Sequence, residues 1–365
     1  MATKTKKIEA VTFSTAELRH ALAICGRVVP ARSPKPACTH VLVGQGVVSA
    51  TDTEVGIDVT IDSTADVRLL LPHARLSAIV ASTASDTVAL EPKGDAVVVT
   101  SGRGRWVLPT MDPAEFPTLE AEGLQPIARL PSDQFARGVT SVVFATDTDS
   151  SRYALGAVMI AVVDANPTLV ATDGRRLAAC ECEIDQAVDD SETMVPARVM
   201  QLLAAIAKGD DGSVQLERGG SHVVAEVANV TVTARLTEGR YPRWQDVFPE
   251  RDVKPTLVPA ASLLTAVRQA SVCVSEQSLG VLFVFSADGI MLSAESAEAG
   301  KSLVECEVTM PGEACEIKLN PRFLEQWLKQ VDPACEVEVE VADAQSAAVL
   351  RCDDARCVIM PLAAD

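Results

Sequence analysis

The feature that most constrains this chain is a pattern that occurs three times along it. A proline is followed within three residues by an arginine and then by a large apolar residue, at Leu76, Met200 and Leu324. These positions are 124 residues apart, from 76 to 200 and again from 200 to 324. Proline favours the first turn of a helix, so each copy predicts a helix start. We therefore predict three copies of one unit, and 365 residues also exceed what one hydrophobic core usually supports.

Each repeat carries further shared patterns that predict its fold class. A second helical pattern precedes the first in each repeat, at 15–29, 132–145 and 261–275. Similar β-rich runs lead to Asp52, Asp173 and Glu295, and each repeat ends in strand patterns, at 96–108, 222–236 and 347–362. Helices interspersed with hairpins favour α+β units with antiparallel sheets over a doubly wound parallel sheet. The predicted domains are 1–125, 126–253 and 254–365.

Composition narrows the classes of function. No apolar stretch reaches the length of a membrane span or signal peptide, so we expect a cytoplasmic protein without membrane contact. The formal charge of −18 repels polyphosphate and disfavours a conventional basic DNA-binding domain. Any contact with DNA must then come from a local basic surface.

Cysteine and histidine spacing gives no support for a metal or cofactor site. The ten cysteines include no Cys-x-x-Cys pattern, and only Cys180 and Cys182 are closely spaced. We expect all ten to be reduced residues of the core. The four histidines are far apart in sequence, and none belongs to a zinc-binding pattern. No cofactor is expected.

Two short motifs suggest enzymes but lack the required context. Gly300-Lys301-Ser302 resembles the end of a phosphate-binding loop, yet Glu295 stands where that loop needs a glycine. Asp173 has no accompanying histidine or second carboxylate in all three repeats, so a structural turn is favoured over a general base. The chain is therefore not expected to be an enzyme.

The helices carry more arginine and lysine than acidic residues on their polar faces. In the helix after Pro196, Arg198 and Lys208 lie opposite the apolar positions, and Arg322 and Lys329 do so after Pro321. A solvated amphipathic face explains any single case. Repetition in an acidic protein instead favours contacts with phosphate groups, which carry no sequence information.

Four further segments follow one another on the triplicated frame: residues 151–156 (SRYALG), 171–178 (ATDGRRLA), 238–242 (EGRYP) and 358–362 (VIMPL). Together, in this order, they resemble the β sliding clamp family of bacterial DNA polymerase III. The resemblance covers essentially the whole chain. It implies three α+β clamp domains per chain, each with two helices and antiparallel sheets, and two chains that close head to tail into a dimeric ring around duplex DNA.

The resemblance implies a non-catalytic processivity factor with several partners. Two of them are double-stranded DNA, which is held without sequence preference, and a second copy of the chain. The others are the replicative polymerase, the clamp loader, repair polymerases and ligase, which bind through short peptides. An alternative is a clamp-like scaffold or phage-type paralogue that does not serve the main replisome.

The resemblance also implies three sets of functional residues. The DNA-facing set is Arg32, Arg75, Arg152, Tyr153, Arg198 and Lys329. The peptide groove is formed by Leu155, Thr172, Gly174, Arg176, Leu177, Pro242, Val247, Ser346, Val358, Met360, Pro361 and Leu362. The dimer interface is formed by Arg103, Arg105, Trp106, Leu108, Val272, Cys273, Val274, Glu298 and Glu305.

Overall fold

The computed structural model describes residues 10–63, 67–149, 153–184, 189–275 and 280–363. Six α-helices lie in this part of the chain, two in each sequence repeat. They are α1 (Thr15–Cys25), α2 (His73–Ser82), α3 (Ser132–Val143), α4 (Ala197–Ala207), α5 (Ala260–Ser271) and α6 (Pro321–Leu328). All six overlap the helices predicted from the repeated patterns, so that prediction is confirmed.

Twenty-four strands are described between and around these helices. In the first repeat they are β1 (Val11–Ser14), β2 (His40–Gly44), β3 (Val47–Thr51), β4 (Val55–Thr60), β5 (Arg68–Pro72), β6 (Thr87–Lys93), β7 (Ala96–Ser101) and β8 (Gly104–Pro109). In the second they are β9 (Gln125–Pro131), β10 (Ala157–Val163), β11 (Asn166–Thr172), β12 (Arg176–Glu181), β13 (Ser191–Pro196), β14 (Ser213–Gly219), β15 (His222–Val227) and β16 (Val230–Arg235). In the third they are β17 (Thr256–Pro259), β18 (Val281–Ser286), β19 (Gly289–Ser296), β20 (Gly300–Cys306), β21 (Cys315–Leu319), β22 (Glu336–Glu340), β23 (Ala348–Cys352) and β24 (Ala355–Ile359).

The chain divides into two compact units, and each contains one eight-stranded and one four-stranded sheet. The first unit is Met1–Ser132 with Ala205–Leu236, and its sheets have the orders β5-β2-β3-β4-β16-β15-β14-β9 and β1-β6-β7-β8. The second unit is Asp133–Ala204 with Thr237–Asp365, and its sheets have the orders β13-β10-β11-β12-β24-β23-β22-β17 and β20-β19-β18-β21. Neighbouring strands are antiparallel throughout these sheets, as predicted.

Each eight-stranded sheet crosses a boundary between sequence repeats. In the first unit β4 of the first repeat pairs with β16 of the second, with Ile57 opposite Val232. In the second unit β12 of the second repeat pairs with β24 of the third, with Ala178 opposite Cys357. Hydrogen bonding across the boundary explains why the compact units do not coincide with the three repeats.

The helices bury their apolar faces, and local signals fix where they begin. Asn320 Oδ1 accepts a hydrogen bond from the Arg322 amide at 3.0 Å, and Pro321 occupies the first turn, so α6 begins there. Trp327 and Leu324 of α6 are buried in the core of the third repeat, where α6 packs against α5. This orientation leaves the polar side of α6 at the surface.

The turn motifs have structural roles, whereas one prediction about cysteine is wrong. Asp173 Oδ1 accepts hydrogen bonds from the Arg175 and Arg176 amides, which makes it a turn residue, as predicted. Gly300 opens β20 in a hairpin with β19. Cys335 and Cys352 form a disulfide, so the expectation that all ten cysteines are reduced fails for this pair. The two residues are far apart in sequence but adjacent in the folded repeat, which no spacing pattern reveals.

Candidate functional site

An apolar cluster on one face of the second unit forms the floor of the candidate site. Leu177 of β12 and Val358 of β24 lie directly opposite each other and are buried. Met159, Val170 and Val349 from neighbouring strands complete this floor. The predicted groove residues Leu177 and Val358 are therefore brought together by the pairing that joins the second and third repeats.

The segment after β16 covers part of this floor with aromatic side chains. Tyr241 donates a hydrogen bond from its hydroxyl to the Val170 carbonyl at 3.1 Å, and burial raises the pKa of the phenol above its ordinary value. Trp244 is buried in the same cluster and meets Phe248 edge to face, with ring centroids 6.4 Å apart. Val247 ends the short helical turn Trp244–Val247, and its side chain is 37 % exposed. Tyr241 and Trp244 were missed by sequence reasoning, although aromatic residues beside the predicted Pro242 were a usable signal.

The loop between β11 and β12 fixes the other side of the floor. Thr172 donates a hydrogen bond to the Arg176 carbonyl at 2.6 Å and accepts one from the Gly174 amide. Gly174 has a φ of 82°, a left-handed conformation that favours glycine. The Met360 amide donates a hydrogen bond to the Arg175 carbonyl, which ties the end of β24 to this loop. The Met360 side chain is 47 % exposed.

The remaining predicted groove residues flank these elements with different degrees of exposure. Pro242 is exposed, whereas Leu155, Ser346, Pro361 and Leu362 are half-buried. Ser346 is held by a hydrogen bond from its hydroxyl to Asp343 at 2.7 Å. An apolar floor beside exposed valine and methionine side chains suits insertion of apolar side chains from a short peptide.

Arg176 lies on the opposite face of β12 from Leu177, so its guanidinium is not part of the apolar floor. It donates hydrogen bonds to Asp173, to Gln326 and to the Phe144 carbonyl. The guanidinium also stacks on the Phe323 ring, 4.4 Å from its centroid. Burial lowers the pKa of Arg176, and the nearby Asp173 carboxylate opposes that shift. The residue therefore joins the groove loop to α6, and its membership of the peptide groove stays a prediction.

The described members of the DNA-facing set are exposed. Arg75 lies in the first turn of α2 and Arg198 in the first turn of α4, while Arg32 follows α1. Arg152 and the side chain of Tyr153 lie outside the described residues. Lys329 follows α6 and forms an ion pair with Glu325 at 2.8 Å.

Glu325 reduces the positive charge on the polar side of α5 and α6. A hydrogen bond from Lys329 lowers the pKa of Glu325 below its ordinary value, and Arg268 of α5 contributes a second one at 3.1 Å. The Glu325 carboxylate is therefore ionised, and it offsets part of the positive charge of Lys329 and Arg268. This acidic residue was not included in the sequence prediction of a basic face, and it leaves that face weaker here than predicted.

Two of the edge strands, one in the four-stranded sheet of each unit, carry exposed apolar side chains and pair on one side only among the described residues. They are β8 in the first unit and β20 in the second. Val107 of β8 is 64 % exposed and Leu303 of β20 is 66 % exposed. Exposed apolar edge strands are normally covered, because they offer unpaired backbone groups to other chains. These two residues were missed by sequence reasoning.

The predicted interface residues lie on or near these edge strands, and all but one of them have exposed or half-buried side chains. Arg103, Arg105, Glu298 and Glu305 are exposed, as is Val272, while Trp106, Cys273 and Val274 are half-buried. Leu108 is buried, only 5 % exposed, because it points from β8 into the core. Alternation along β8 therefore places Val107 rather than Leu108 on the outer side of the edge.

Some structural features bear on membranes and metals. Among the described residues no helix is long and apolar enough to span a bilayer. No group of three or more histidine, cysteine, aspartate and glutamate side chains in that part of the chain is arranged to hold a metal ion.

Comparison with known families accounts for nearly the whole chain. Three models match in order: the N-terminal domain of the DNA polymerase III beta subunit over residues 10–120, the central domain over 129–243 and the C-terminal domain over 245–363. The chain is 27 % identical over 275 residues to the beta sliding clamp of Proteus mirabilis, covering 72 % of this chain and 75 % of that one. It is 25 % identical over 357 residues to the beta sliding clamp of Synechocystis, covering 89 % and 91 %.

Solved structures agree in fold. The DNA polymerase sliding clamp of Bacillus subtilis superposes with a TM-score of 0.90 at 22 % identity and covers 98 % of this chain and 99 % of that one. A DnaN sliding clamp of Pseudomonas aeruginosa bound to griselimycin gives a TM-score of 0.90 at 24 % identity, with 97 % and 99 % covered. The prediction of a three-domain α+β fold is confirmed.

Proposed function

This chain belongs to the DNA polymerase III beta subunit family, and on that premise we propose that it is a sliding clamp that encircles duplex DNA and tethers the replicative polymerase to it. Such a clamp is a processivity factor without catalysis of its own. Its work on chromosomal DNA implies a cytoplasmic location. No observation favours the alternative scaffold or phage-type paralogue.

The proposal of a ring rests on one kind of pairing between strands of successive repeats, which occurs twice within the chain. β4 and β12 occupy equivalent places in the first and second repeats, and β16 and β24 occupy equivalent places in the second and third. By the same equivalence, β20 of the third repeat matches β4 and β12, whereas β8 of the first matches β16 and β24. A second copy of the chain supplies the missing partner for each edge, and two such pairings close a head-to-tail dimer.

The two pairings already present predict the register of the third. Ile57 and Ala178 lie opposite Val232 and Cys357, which are the third residues of β16 and β24. Within the first and second repeats, Ile57 pairs with Ala50 and Ala178 pairs with Ala171. We take the inward-facing pair Ala294 and Ser302 of β19 and β20 as their equivalent in the third repeat. The third residue of β8 is Trp106. Ser302 is therefore placed opposite the partner subunit's Trp106.

This register also places charged residues of opposite sign together. Continuing the antiparallel pairing brings Leu303 opposite the partner subunit's Arg105 and Glu305 opposite the partner subunit's Arg103. The exposed Arg103 and Glu305 then form one cross-strand pair of opposite charge at each interface, while Leu303 packs against the aliphatic part of the partner subunit's Arg105. Arg103 and Glu305 were both expected at the interface from the family resemblance.

The apolar floor between β12 and β24 is the proposed docking site for partner peptides. The replicative polymerase, clamp loader, repair polymerases and ligase would insert apolar side chains beside Val247 and Met360, both exposed next to a fully apolar floor. Because a peptide loses conformational freedom on docking, we expect modest affinity, roughly micromolar.

Topology provides the test of function. Loaded protein should remain on nicked circular duplex DNA through a salt wash and slide off after the circle is linearised. Equal release from both forms would indicate surface binding and contradict the clamp function. A Leu303→Arg variant, in which a cation faces the partner subunit's Arg105 and prevents dimerisation, is the control, since an open subunit should be retained on neither form.

A further inference from the structure

The loop between β3 and β4 in the first unit repeats the loop that borders the groove in the second unit. Thr51 donates a hydrogen bond from its hydroxyl to the Val55 carbonyl at 3.0 Å, and Asp52 Oδ1 accepts hydrogen bonds from the Glu54 and Val55 amides. The loop between β11 and β12 forms the same hydrogen bonds at the corresponding positions. The β4–β16 pair therefore corresponds, residue by residue, to the β12–β24 pair that forms the apolar floor.

A cavity of about 410 Å³ lies in the first unit at the place that corresponds to this floor. The sheet forms one wall, and the connecting segment 116–119 forms the other, with Phe116 packed against the cluster that contains Leu42. Gly56 and Thr233 lie opposite each other at the positions that buried leucine and valine side chains occupy in the second unit. The first unit thus has a cavity lined by smaller and more polar side chains.

Three polar side chains stand side by side on the sheet wall of this cavity. Ser49 of β3 lies opposite Asp58 of β4, which in turn lies opposite Thr231 of β16, and all three line the cavity. Directly opposed residues of neighbouring strands point to the same face, with Cβ atoms roughly 5 Å apart. In the part of the chain that the structure describes, no hydrogen bond or ion pair engages these three side chains. Two hydroxyls and a carboxylate are therefore available to a ligand.

The charge around this row favours a cationic ligand group. Asp58 is exposed, and the exposed Glu226 lies opposite Thr231 on the next strand, so a second carboxylate is on the same face. Arg68 also lines the cavity, but it belongs to β5, three strands away from β4. Three strand spacings amount to roughly 14 Å, so Arg68 does not neutralise Asp58.

The acidic row is specific to the first unit. The pair Asp58 and Thr231 corresponds to Ala179 and Arg356 in the second unit, which lie opposite each other on β12 and β24. A carboxylate on one framework and a cation on the other select ligands of different charge. The two sites are therefore not interchangeable.

We propose that this cavity is a second peptide-docking site, which takes an extended segment of a partner protein with an apolar side chain and, two residues further on, a lysine or arginine. The apolar side chain packs against Phe116 beside Leu42. The cationic group reaches Asp58, and a lysine ammonium can donate its three hydrogen bonds to that carboxylate and to the hydroxyls of Ser49 and Thr231.

The dimensions of the site fit this segment. Leu42 lies opposite Ser49, which lies opposite Asp58, so two strand spacings, roughly 9–10 Å, separate Leu42 from Asp58. Alternate residues of an extended peptide are roughly 7 Å apart on one face, and a long lysine or arginine side chain spans the remainder. A second copy of this chain, with its formal charge of −18, is disfavoured as the source of the segment.

Photo-cross-linking of the full-length protein with a defined probe tests the site. The probe is the capped tripeptide acetyl-photoleucine-serine-lysine amide, and its glutamine and glutamate versions are the controls. After irradiation and trypsin digestion, we expect the lysine probe on peptides 33–68 and 106–129, which contain Leu42 and Phe116. Below saturation, the glutamine probe should give a roughly threefold lower yield, the effect of one exposed ion pair, and the glutamate probe a still lower one.

Two outcomes of this experiment would overturn the proposal. Equal yields from the three probes would indicate a pocket for uncharged ligands. Cross-links of the lysine probe mainly in peptide 357–365 would place it in the groove of the second unit. Because the readout is the position of the cross-link, it is independent of whether the chain acts as a clamp.

Variants of Asp58 test the charge selection. Asp58→Asn should lower the yield of the lysine probe roughly threefold, whereas Glu192→Gln, the same loss of charge at an exposed position of β13, should not. Asp58→Arg should reverse the preference, so that the glutamate probe gives the higher yield. An unchanged yield in Asp58→Asn, or a lysine preference retained in Asp58→Arg, would contradict the assigned role.

Discussion

At the scale of single residues, two groups matter, one for the proposed groove and one for the stability of the third repeat. Met360 and Val247 are exposed next to a buried apolar floor, so they can gain contacts only from a partner. Glu340 is only 4 % exposed and accepts hydrogen bonds from Arg251 and from Arg351, the latter at 2.7 Å. We propose a binding role for Met360 and Val247, whereas Glu340 and its two arginine partners stabilise the fold.

Met360→Ala should weaken binding of a short apolar-ended peptide by roughly tenfold, since truncating a central apolar anchor usually costs more than 1 kcal/mol. Fluorescence polarisation measures the change. Val163→Ala removes an equally exposed side chain, 47 % in both cases, from another strand of the same unit and should have no effect. Equal weakening in both variants would mean that the effect is not specific to the groove.

Glu340 should make stability depend on acid pH. Burial alone would raise the pKa of Glu340, but hydrogen bonds from Arg251 and Arg351 hold it below its ordinary value. The unfolded state then binds the proton more tightly, so this stabilisation is present above the ordinary pKa of about 4.3 and is lost as pH falls through the lower folded value. At neutral pH, Glu340→Gln should have a free energy of unfolding, obtained from thermal melts, that is roughly 3 kcal/mol lower than that of wild type. This difference should become smaller toward pH 3. A constant difference across this range would show that Glu340 does not titrate as described.

At the scale of elements, Arg176 joins strand β12 and its groove loop to helix α6. Arg176→Lys keeps the charge but loses both the stacking between Phe144 and Phe323 and the branched hydrogen bonding. We expect a loss of about 2 kcal/mol in the free energy of unfolding, measured by urea denaturation. Arg175→Lys, at the exposed neighbouring position, is the matched control and should change little.

The edge strands β8 and β20 give a second prediction at this scale. Leu303→Arg should convert the dimer to monomers, because it places a cation opposite the partner subunit's Arg105 on an edge that otherwise buries an apolar side chain. Sedimentation velocity measures the change in mass. Val163→Arg, on a strand that already has two neighbours, should remain dimeric. A dimeric Leu303→Arg protein would contradict the proposed β8–β20 pairing.

For the whole molecule, an acidic protein must hold DNA through a few local cations. Arg75→Glu combined with Arg198→Glu should slow loading onto DNA and flatten the salt dependence of residual binding to open DNA, with no change in sequence preference. Surface plasmon resonance across a salt series measures this. Arg129→Glu combined with Arg218→Glu makes the same charge change at exposed positions of the sheet strands β9 and β14 and should leave loading unchanged. Equal defects would indicate a general charge effect.

The three repeats, the six helices and the antiparallel class could be predicted without the structure, because these features depend on local signals. Pro196 and Pro321 mark helix starts, and apolar periodicity marks buried faces, without any information from distant residues. The repeat spacing also determined which strands are equivalent, and equivalence carries the proposed closure of the dimer.

Tertiary structure alone decided which face each strand residue occupies and which distant residues meet. Arg176 and Leu177 are adjacent in sequence, yet one contacts α6 and the other lies in the groove floor, because side chains alternate across a strand. Leu108 is buried and Val107 exposed for the same reason. Strand register and the pairing of Cys335 with Cys352 depend on contacts between residues distant in the chain, which local patterns do not encode.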